Sequence, residues 1–342
     1  MTLWQEIESQ PEILGELAAR NDVRISPAVA WLTSQQFDHV LIAARGSSDN
    51  AARYAQYLWG ARNRWLVSLA APSLYSMYEA PPKLDRVLTV GISQSGESPD
   101  LLAVMDAAAA QNQPTLGITN NPASPMATRS GFHVDLGIGP ERAVAATKSY
   151  TAQLLTVAQL SAGMARDVNM SSSLETIGKL VSRAIETSDD AARAAKVLTE
   201  ANRCVVLGRG FQHATAYEWA LKIAELSYLV AQPFSSADFR HGPLAMVEAG
   251  LPILAVAMDG PAYGDMASLL ASSRTAGALV VAISDRDDCP ADHIIPLPKG
   301  IPGWLAPIPA AVAAQVFTFH LTVARGLDPD NPRRLTKVTK TL

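Results

Sequence analysis

LIAARGSSDNAARYAQYLW (residues 41–59) and VVLGRGFQHATAYEWALKI (residues 205–223) repeat one pattern at an offset of 164. Each opens on a short apolar run, turns at Arg-Gly, and resumes with alanine and aromatic residues at helical spacing. Such a segment reads as a strand feeding a helix. The correspondence continues downstream. VLTVGISQSGES (87–98) aligns with PILAVAMDGPAY (252–263) at an offset of 165, where GITN (117–120) also meets AISD (282–285). Duplication of one α/β subdomain follows.

Working outward, apolar runs at 39–45, 65–70, 86–93 and 114–120 form a first strand series, and runs at 203–210, 251–258 and 277–285 form a second. Helix-length segments separate them, so each series predicts βαβ units and a doubly wound parallel sheet. Residues 2–36 carry helical periodicity and predict an N-terminal helical hairpin. Residues 147–200 read as helical with a break at Asn169–Ser172, and a last helix near 305–325 leads into a polar tail. The expected organisation is N-terminal helices over 1–37, a first subdomain over 38–166, linking helices over 167–200, a second subdomain over 201–326 and a tail over 327–342.

Composition excludes several classes. With 48% apolar and 18% charged residues the 342-residue chain has a globular balance. A net charge of −4 argues against a nucleic-acid partner, whose phosphates demand a basic face. Cys204 and Cys289 have no spacing for a disulfide framework or a zinc site, which fits a reducing compartment. The N-terminal MTLWQEIESQPEILGEL is acidic and lacks the apolar core of a signal peptide. Two prolines, a glutamine and a histidine interrupt the apolar stretch 303–324, favouring a buried helix over a membrane span. A cytoplasmic protein without a membrane partner is the expectation.

The loop Ser93-Gln-Ser-Gly-Glu-Ser98 holds hydroxyl and amide donors and one carboxylate. At a strand-to-helix junction, free backbone N–H groups and the helix dipole favour an anion, typically phosphate. Ser93, Gln94, Ser95 and Ser98 would add donors for oxygens that only accept. An ordinary capping loop is the plain alternative, since serine is a favoured N-cap. The cluster, and its loss in the second copy, tips the balance to phosphate. Arg45-Gly-Ser-Ser48 is a second strand-end loop, from which Ser47 or Ser48 would reach the same phosphate. No Walker motif, dinucleotide fingerprint, G-x-S-x-G elbow or H-E-x-x-H occurs.

The second copy carries titratable groups instead. Lys222 and Glu225, three apart on a helix expected over Ala214–Val230, share a face. Glu218, Lys222 and Glu225 form either a solvated stripe or, because the rest of the helix is apolar, a buried set with a purpose. The residue types alone leave both open. His241, at the Gly-Pro turn of Phe239-Arg-His-Gly-Pro243, reads by itself as an exposed side chain, and the basic tail from Asn331 as a frayed end.

Taken together, SQSGES (93–98), RGSS (45–48), ALKIAELSY (220–228), SADFRHGPLAM (236–246) and PRRLTK (332–337) resemble the double sugar-isomerase (SIS) domain family. That family includes the isomerase half of glucosamine-6-phosphate synthase and stand-alone glucosamine-6-phosphate deaminases. The resemblance implies two tandem flavodoxin-like subdomains after an N-terminal helical segment. It implies a sugar 6-phosphate held by Ser47, Ser48, Ser93, Gln94, Ser95 and Ser98, with Glu141 and Val144 on another wall of the sugar site. Glu225 takes the place of the base that moves a proton between C1 and C2, and Lys222 supports charge beside it. His241 stands where the family has a ring-opening histidine reaching in from a partner subunit, and Lys337 where a tail lysine forms a Schiff base with the ketose. Ala146 replaces the synthase's serine.

Such chemistry requires no metal and no organic cofactor. The synthase's glutamine-hydrolysing domain finds no room before residue 38. The expectation is therefore a homodimeric amino-sugar-phosphate deaminase/isomerase, converting glucosamine 6-phosphate and water to fructose 6-phosphate and ammonia. Cleavage of fructosamine 6-phosphate adducts and simple aldose–ketose isomerisation are the enzymatic alternatives. A non-catalytic phosphosugar sensor would carry the ligand loop without the acid–base set.

Overall fold

The computed structural model describes residues 2–337, so the last five residues of the expected tail, 338–342, lie outside the described residues. The chain divides into two compact units. One holds β1 (His39–Ala43), β2 (Leu66–Leu69), β3 (Val87–Ile92), β4 (Thr115–Thr119) and β5 (Phe132–Asp135) in a parallel sheet ordered β2-β1-β3-β4-β5. The other holds β6 (Arg203–Gly208), β7 (Val230–Ser235), β8 (Pro252–Val256), β9 (Leu279–Ser284) and β10 (His293–Pro296), parallel and ordered β7-β6-β8-β9-β10. The two orders are the same, which is the duplication read in three dimensions.

Every residue of β3, β4 and β8 is buried, as a parallel sheet covered by helices on both faces requires. Three strands escaped the sequence reading: β5, β7 and β10, with the sequences FHVD, VAQPFS and HIIP. All three lie at sheet edges, where half of the backbone is unpaired and polar or proline residues are tolerated.

Register corrects the alignment of the two copies by one residue. Ile42 pairs with Val90, and Val206 with Leu254, so the offset of 164 holds through the third strand of the repeat. Gly96 then corresponds to Gly260, and both take positive φ, 68° and 136°. Ser93, Gln94, Ser95 and Ser98 thus correspond to Ala257, Met258, Asp259 and Ala262. The offset of 165 returns by β4 and β9, where Leu116 and Val281 occupy equivalent pairs.

The helices depart from expectation in three places. The N-terminal segment forms four helices, Thr2–Glu8, Gln10–Ala19, Asn21–Arg24 and Ser26–Ser34, and not one hairpin. Residues 169–172 do not break the chain but lie inside the helix Val168–Leu174. Asp167 caps that helix by accepting from the Met170 N–H at 3.0 Å, and Ser171 and Ser173 return their hydroxyls to carbonyls four residues back. The interruption falls instead at Arg166, whose φ is 51°. The helix expected over Ala214–Val230 spans Gln212–Ser227 and ends where Tyr228 turns left-handed, leaving Val230 to open β7. The apolar helix Pro307–Ala324 has the length and composition of a membrane span, and most of it is buried.

Candidate active site

The candidate residues fall into two sets, one in each unit. In the first, β1 and β3 run side by side, and their C-terminal ends open where the strand order reverses. Gly46, with φ 55°, turns the chain from β1 into the helix Ser47–Leu58. Residues 93–98 lead from β3 into the helix Pro99–Ala110. Gly96 is needed there on two counts: its positive φ, and the Ser124 side chain, whose Oγ would lie 2.3 Å from any added Cβ.

The hydroxyls in this crevice share one arrangement. Ser93 Oγ accepts from the Gly96 N–H at 3.0 Å, Ser95 Oγ from the Glu97 N–H at 3.3 Å, and Ser48 Oγ from Gln153 Nε2 at 2.9 Å. A hydroxyl that accepts an N–H keeps its own proton to give away. Ser98 occupies the N-cap position of its helix without a side-chain capping bond, so the plain capping alternative does not account for it. Arg45 Nε meets Asp100 Oδ2 at 2.8 Å, joining the end of β1 to the helix that follows β3. Neither Gln153 nor this ion pair was anticipated. The signal for Gln153 was present: Gln153, Thr156 and Gln159 recur in the helix Lys148–Ala165, nearly all of which is buried, and buried polar groups need partners.

Glu141 belongs to the same unit. Its carboxylate is buried and accepts from the Ser149 N–H at 3.0 Å, the Ser149 hydroxyl at 2.7 Å and Lys337 Nζ at 2.6 Å. Two sequence candidates expected to face sugar are thus joined to each other as an ion pair.

In the second unit the helix Gln212–Ser227 carries Lys222, whose side chain is 3% exposed. Its ammonium lies 2.6 Å from Glu225 Oε2 and 3.6 Å from Glu218 Oε1. Glu218 is buried, whereas the Glu225 side chain is 24% exposed, next to exposed Ala224. The solvated-stripe reading is excluded. A buried cation sits between two carboxylates, of which one reaches solvent. His241 ends the helix Ser236–Arg240 and is exposed, as is most of the apolar turn Pro243–Met246 that follows. Val144 is half-buried in the segment 142–147, which Glu6 pins by accepting from the Arg142 N–H at 2.6 Å. Burial pushes the Cys204 thiol up to about 12 and raises that of Cys289. Among the described residues no cluster of three or more His, Cys, Asp or Glu could hold a metal.

The sequence profile of the SIS domain matches residues 34–162 and again 197–324. The chain belongs to the SIS domain family. Its relatives include the isomerizing glutamine–fructose-6-phosphate aminotransferases of Pyrococcus horikoshii, 33% identical across 97% of this chain and 56% of that protein, and of Methanothermobacter thermautotrophicus, 31% identical across 98% and 54%. The SIS chain thus spans about half the length of the curated relatives it matches. Among solved structures, the C-terminal domain of glucosamine-fructose-6-phosphate aminotransferase from Francisella tularensis superposes with a TM-score of 0.89 at 26% identity, covering 97% of this chain and 98% of that one. Glucosamine-6-phosphate deaminase from Thermotoga maritima shares the fold, with a TM-score of 0.80 at 24% identity and full coverage of both chains.

Proposed function

We propose that this SIS protein moves a carbonyl between C1 and C2 of an amino-sugar 6-phosphate, converting glucosamine 6-phosphate and water to fructose 6-phosphate and ammonia. The observation that carries the reading is the buried Lys222 ammonium 2.6 Å from the solvent-reaching Glu225 carboxylate. A base beside a fixed cation suits removal of the proton α to a carbonyl, because the cation steadies the enolate charge as it forms.

In the open-chain aldehyde Glu225 takes the C2 proton, giving an enolamine, and returns it to C1. The C2 imine that results is hydrolysed, water supplying the ketone oxygen as ammonia leaves. Ser48, Ser93, Ser95 and Ser98 hold the 6-phosphate with Ser47 and Gln94 beside them, and His241 assists ring opening. Lys337 becomes an amine able to capture C2 only after leaving its ion pair with Glu141 and giving up a proton. That the relatives act on fructose 6-phosphate supports the substrate class. Both thiols in the chain are buried with raised pKa, so neither provides a nucleophile for releasing ammonia from glutamine. The proposal includes a homodimer in which His241 serves the neighbouring copy, in keeping with its exposed apolar turn.

A panel of hexosamine and fructosamine 6-phosphates, assayed for both ammonia and ketose 6-phosphate, tests the reading. Ammonia and fructose 6-phosphate should appear in equal amounts from glucosamine 6-phosphate. Ketose formation without ammonia from every member would overturn the deaminase direction.

A further inference from the structure

We propose that Gln153 is a positioning residue for the anion site, fixing Ser48 as a hydrogen-bond donor; the inference rests on reading the serine loops as that site. Gln153 lies in the helix Lys148–Ala165, is 1% exposed, and donates through Nε2 to Ser48 Oγ at 2.9 Å. Its Oε1 is buried without a hydrogen-bond partner. A buried amide left half unsatisfied costs free energy, and its satisfied half is spent on the Ser48 oxygen.

The need arises from where Ser48 stands. Ser93 and Ser95 sit in a loop and take N–H donors from their own backbone, at Gly96 and Glu97. Ser48 sits in the first turn of a helix, where the following N–H groups are already given to carbonyls: Asp49 N to Gly46 O at 3.0 Å and Asn50 N to Gly46 O at 3.2 Å. A donor for its oxygen comes from a side chain 105 positions away. With Nε2 on its lone pair, the Ser48 proton is left for a ligand oxygen. With an acceptor in that place the proton would be consumed, and Ser48 would present a lone pair to an anion that only accepts.

Gln153→Glu and Gln153→Met separate orientation from packing. The glutamate keeps the shape but accepts the Ser48 proton, whereas methionine keeps the volume and leaves the hydroxyl free to turn. The Kd of inorganic phosphate by calorimetry, and KM for glucosamine 6-phosphate, should rise roughly 10- to 100-fold in Gln153→Glu, the range for one lost hydrogen bond to a charged group, and only about threefold in Gln153→Met. The loss should fall on KM more than on kcat. Equal effects of the two substitutions, or none from either, would overturn the inference. Should Gln153→Glu fail to fold, Gln153→Met combined with Ser48→Ala decides. Its threefold effect must vanish when Ser48 is already gone, and persistence there overturns the inference. The double variant Ser93→Ala/Ser95→Ala isolates the parent reading. Wild-type phosphate affinity in that variant would remove the anion site itself. Loss there with no change in the Gln153 variants would remove only the role of Gln153.

Discussion

The two units share a strand order and an ion pair but not a chemistry. In one, Arg45 reaches from the end of β1 to Asp100 at 2.8 Å; in the other, Arg209 reaches from the end of β6 to Asp265 at 2.7 Å. Each pair ties the first strand to the helix after the third, across the crevice where parallel sheets bind ligands. The loops differ. Ser93, Gln94, Ser95 and Ser98 give way to Ala257, Met258, Asp259 and Ala262. At the ends of β8, β9 and β10, Asp259, Asp285, Asp287 and Asp288 line a pocket with Arg286 and Lys299, and burial raises the Asp285 carboxyl. Arg286 pairs there with Asp259 and Asp288, and Lys299 with Asp287, so this cluster is closed on itself by ion pairs, whereas Ser93 and Ser95 of the first copy keep protons to donate. The scaffold was kept in both copies, and the serine donors in one. The second copy instead placed Lys222 and Glu225 on its first helix.

The largest expected effect tests that division of labour. Glu225→Gln keeps the shape but removes the proton acceptor, so the rate of solvent deuterium entry at C1 should fall by about 10²–10⁴-fold or more. Phosphate affinity, assigned in the proposal to the serine loops of the other copy, should persist. Deuterium entry at the normal rate would end the assignment of Glu225 as base. His241→Asn should also be nearly inactive, and co-refolding the two variants should restore roughly a quarter of wild-type activity if subunits mix at random, half of the dimers being mixed with one intact site in two. Verified mixed dimers as inactive as their parents would return His241 to its own chain.

Next in size is the loop itself. Ser93→Ala/Ser95→Ala removes two donors and should raise KM roughly 100-fold or more, at about 1.5–3 kcal/mol for each lost hydrogen bond to a charged group. Asp259→Ala, in the corresponding loop of the other copy, should leave KM for the sugar phosphate where it was. A matching rise from Asp259→Ala would mean that both loops serve the phosphate, and the comparison would fail.

The sequence made the buried half of each copy readable, because central parallel strands such as VLTVGI and PILAV are unbroken apolar runs and the repeat reinforced them. The edge strands β5, β7 and β10 were not readable, since VAQPFS at an edge carries no such run. The serine loop and the Lys222–Glu225 pair were visible as residue types at the right spacing. What spacing could not convey was commitment: the Glu141 carboxylate is engaged by Ser149 and Lys337, and the Ser48 hydroxyl accepts from Gln153. Those contacts join segments far apart in the chain, and only packing brings them together.

The shared ion pair gives a smaller and asymmetric test. Asp100 has a fully buried side chain, whereas that of Asp265 is 35% exposed and also has Ser236 and Arg240 for partners. Arg45→Met strands a buried carboxylate and should cost about 1–3 kcal/mol, below the range for a fully buried pair because Arg45 is itself half exposed. Arg209→Met should cost about 1 kcal/mol or less. Thermal melting compares them, and an equal fall in Tm would break the claim that the tie matters more where the ligand loop is.

The smallest expected effect lies in a histidine that each unit half-buries. His133 meets Thr119 Oγ1 at 2.9 Å in the first unit, and His320 meets Ser188 Oγ at 2.7 Å in the second. Burial lowers both pKa values below the ordinary 6.5, against a partial opposing pull from Asp135 on His133 and Asp189 on His320. Both rings are neutral in the fold at pH 7. In the unfolded chain they begin to take protons as the pH drops toward 6.5, before the folded rings do, so the unfolded state binds more protons in that window. Stability is therefore level above pH 6.5 on their account and is lost as the pH falls from there through the lowered folded values. His133→Gln and His320→Gln should each make the fall in Tm between pH 7.5 and 5.5 shallower, and the double variant shallower still. If the two units melt in separable steps, each substitution should flatten only its own. An unchanged slope in the double variant would show that other groups, and not these two rings, set the acid response of both copies.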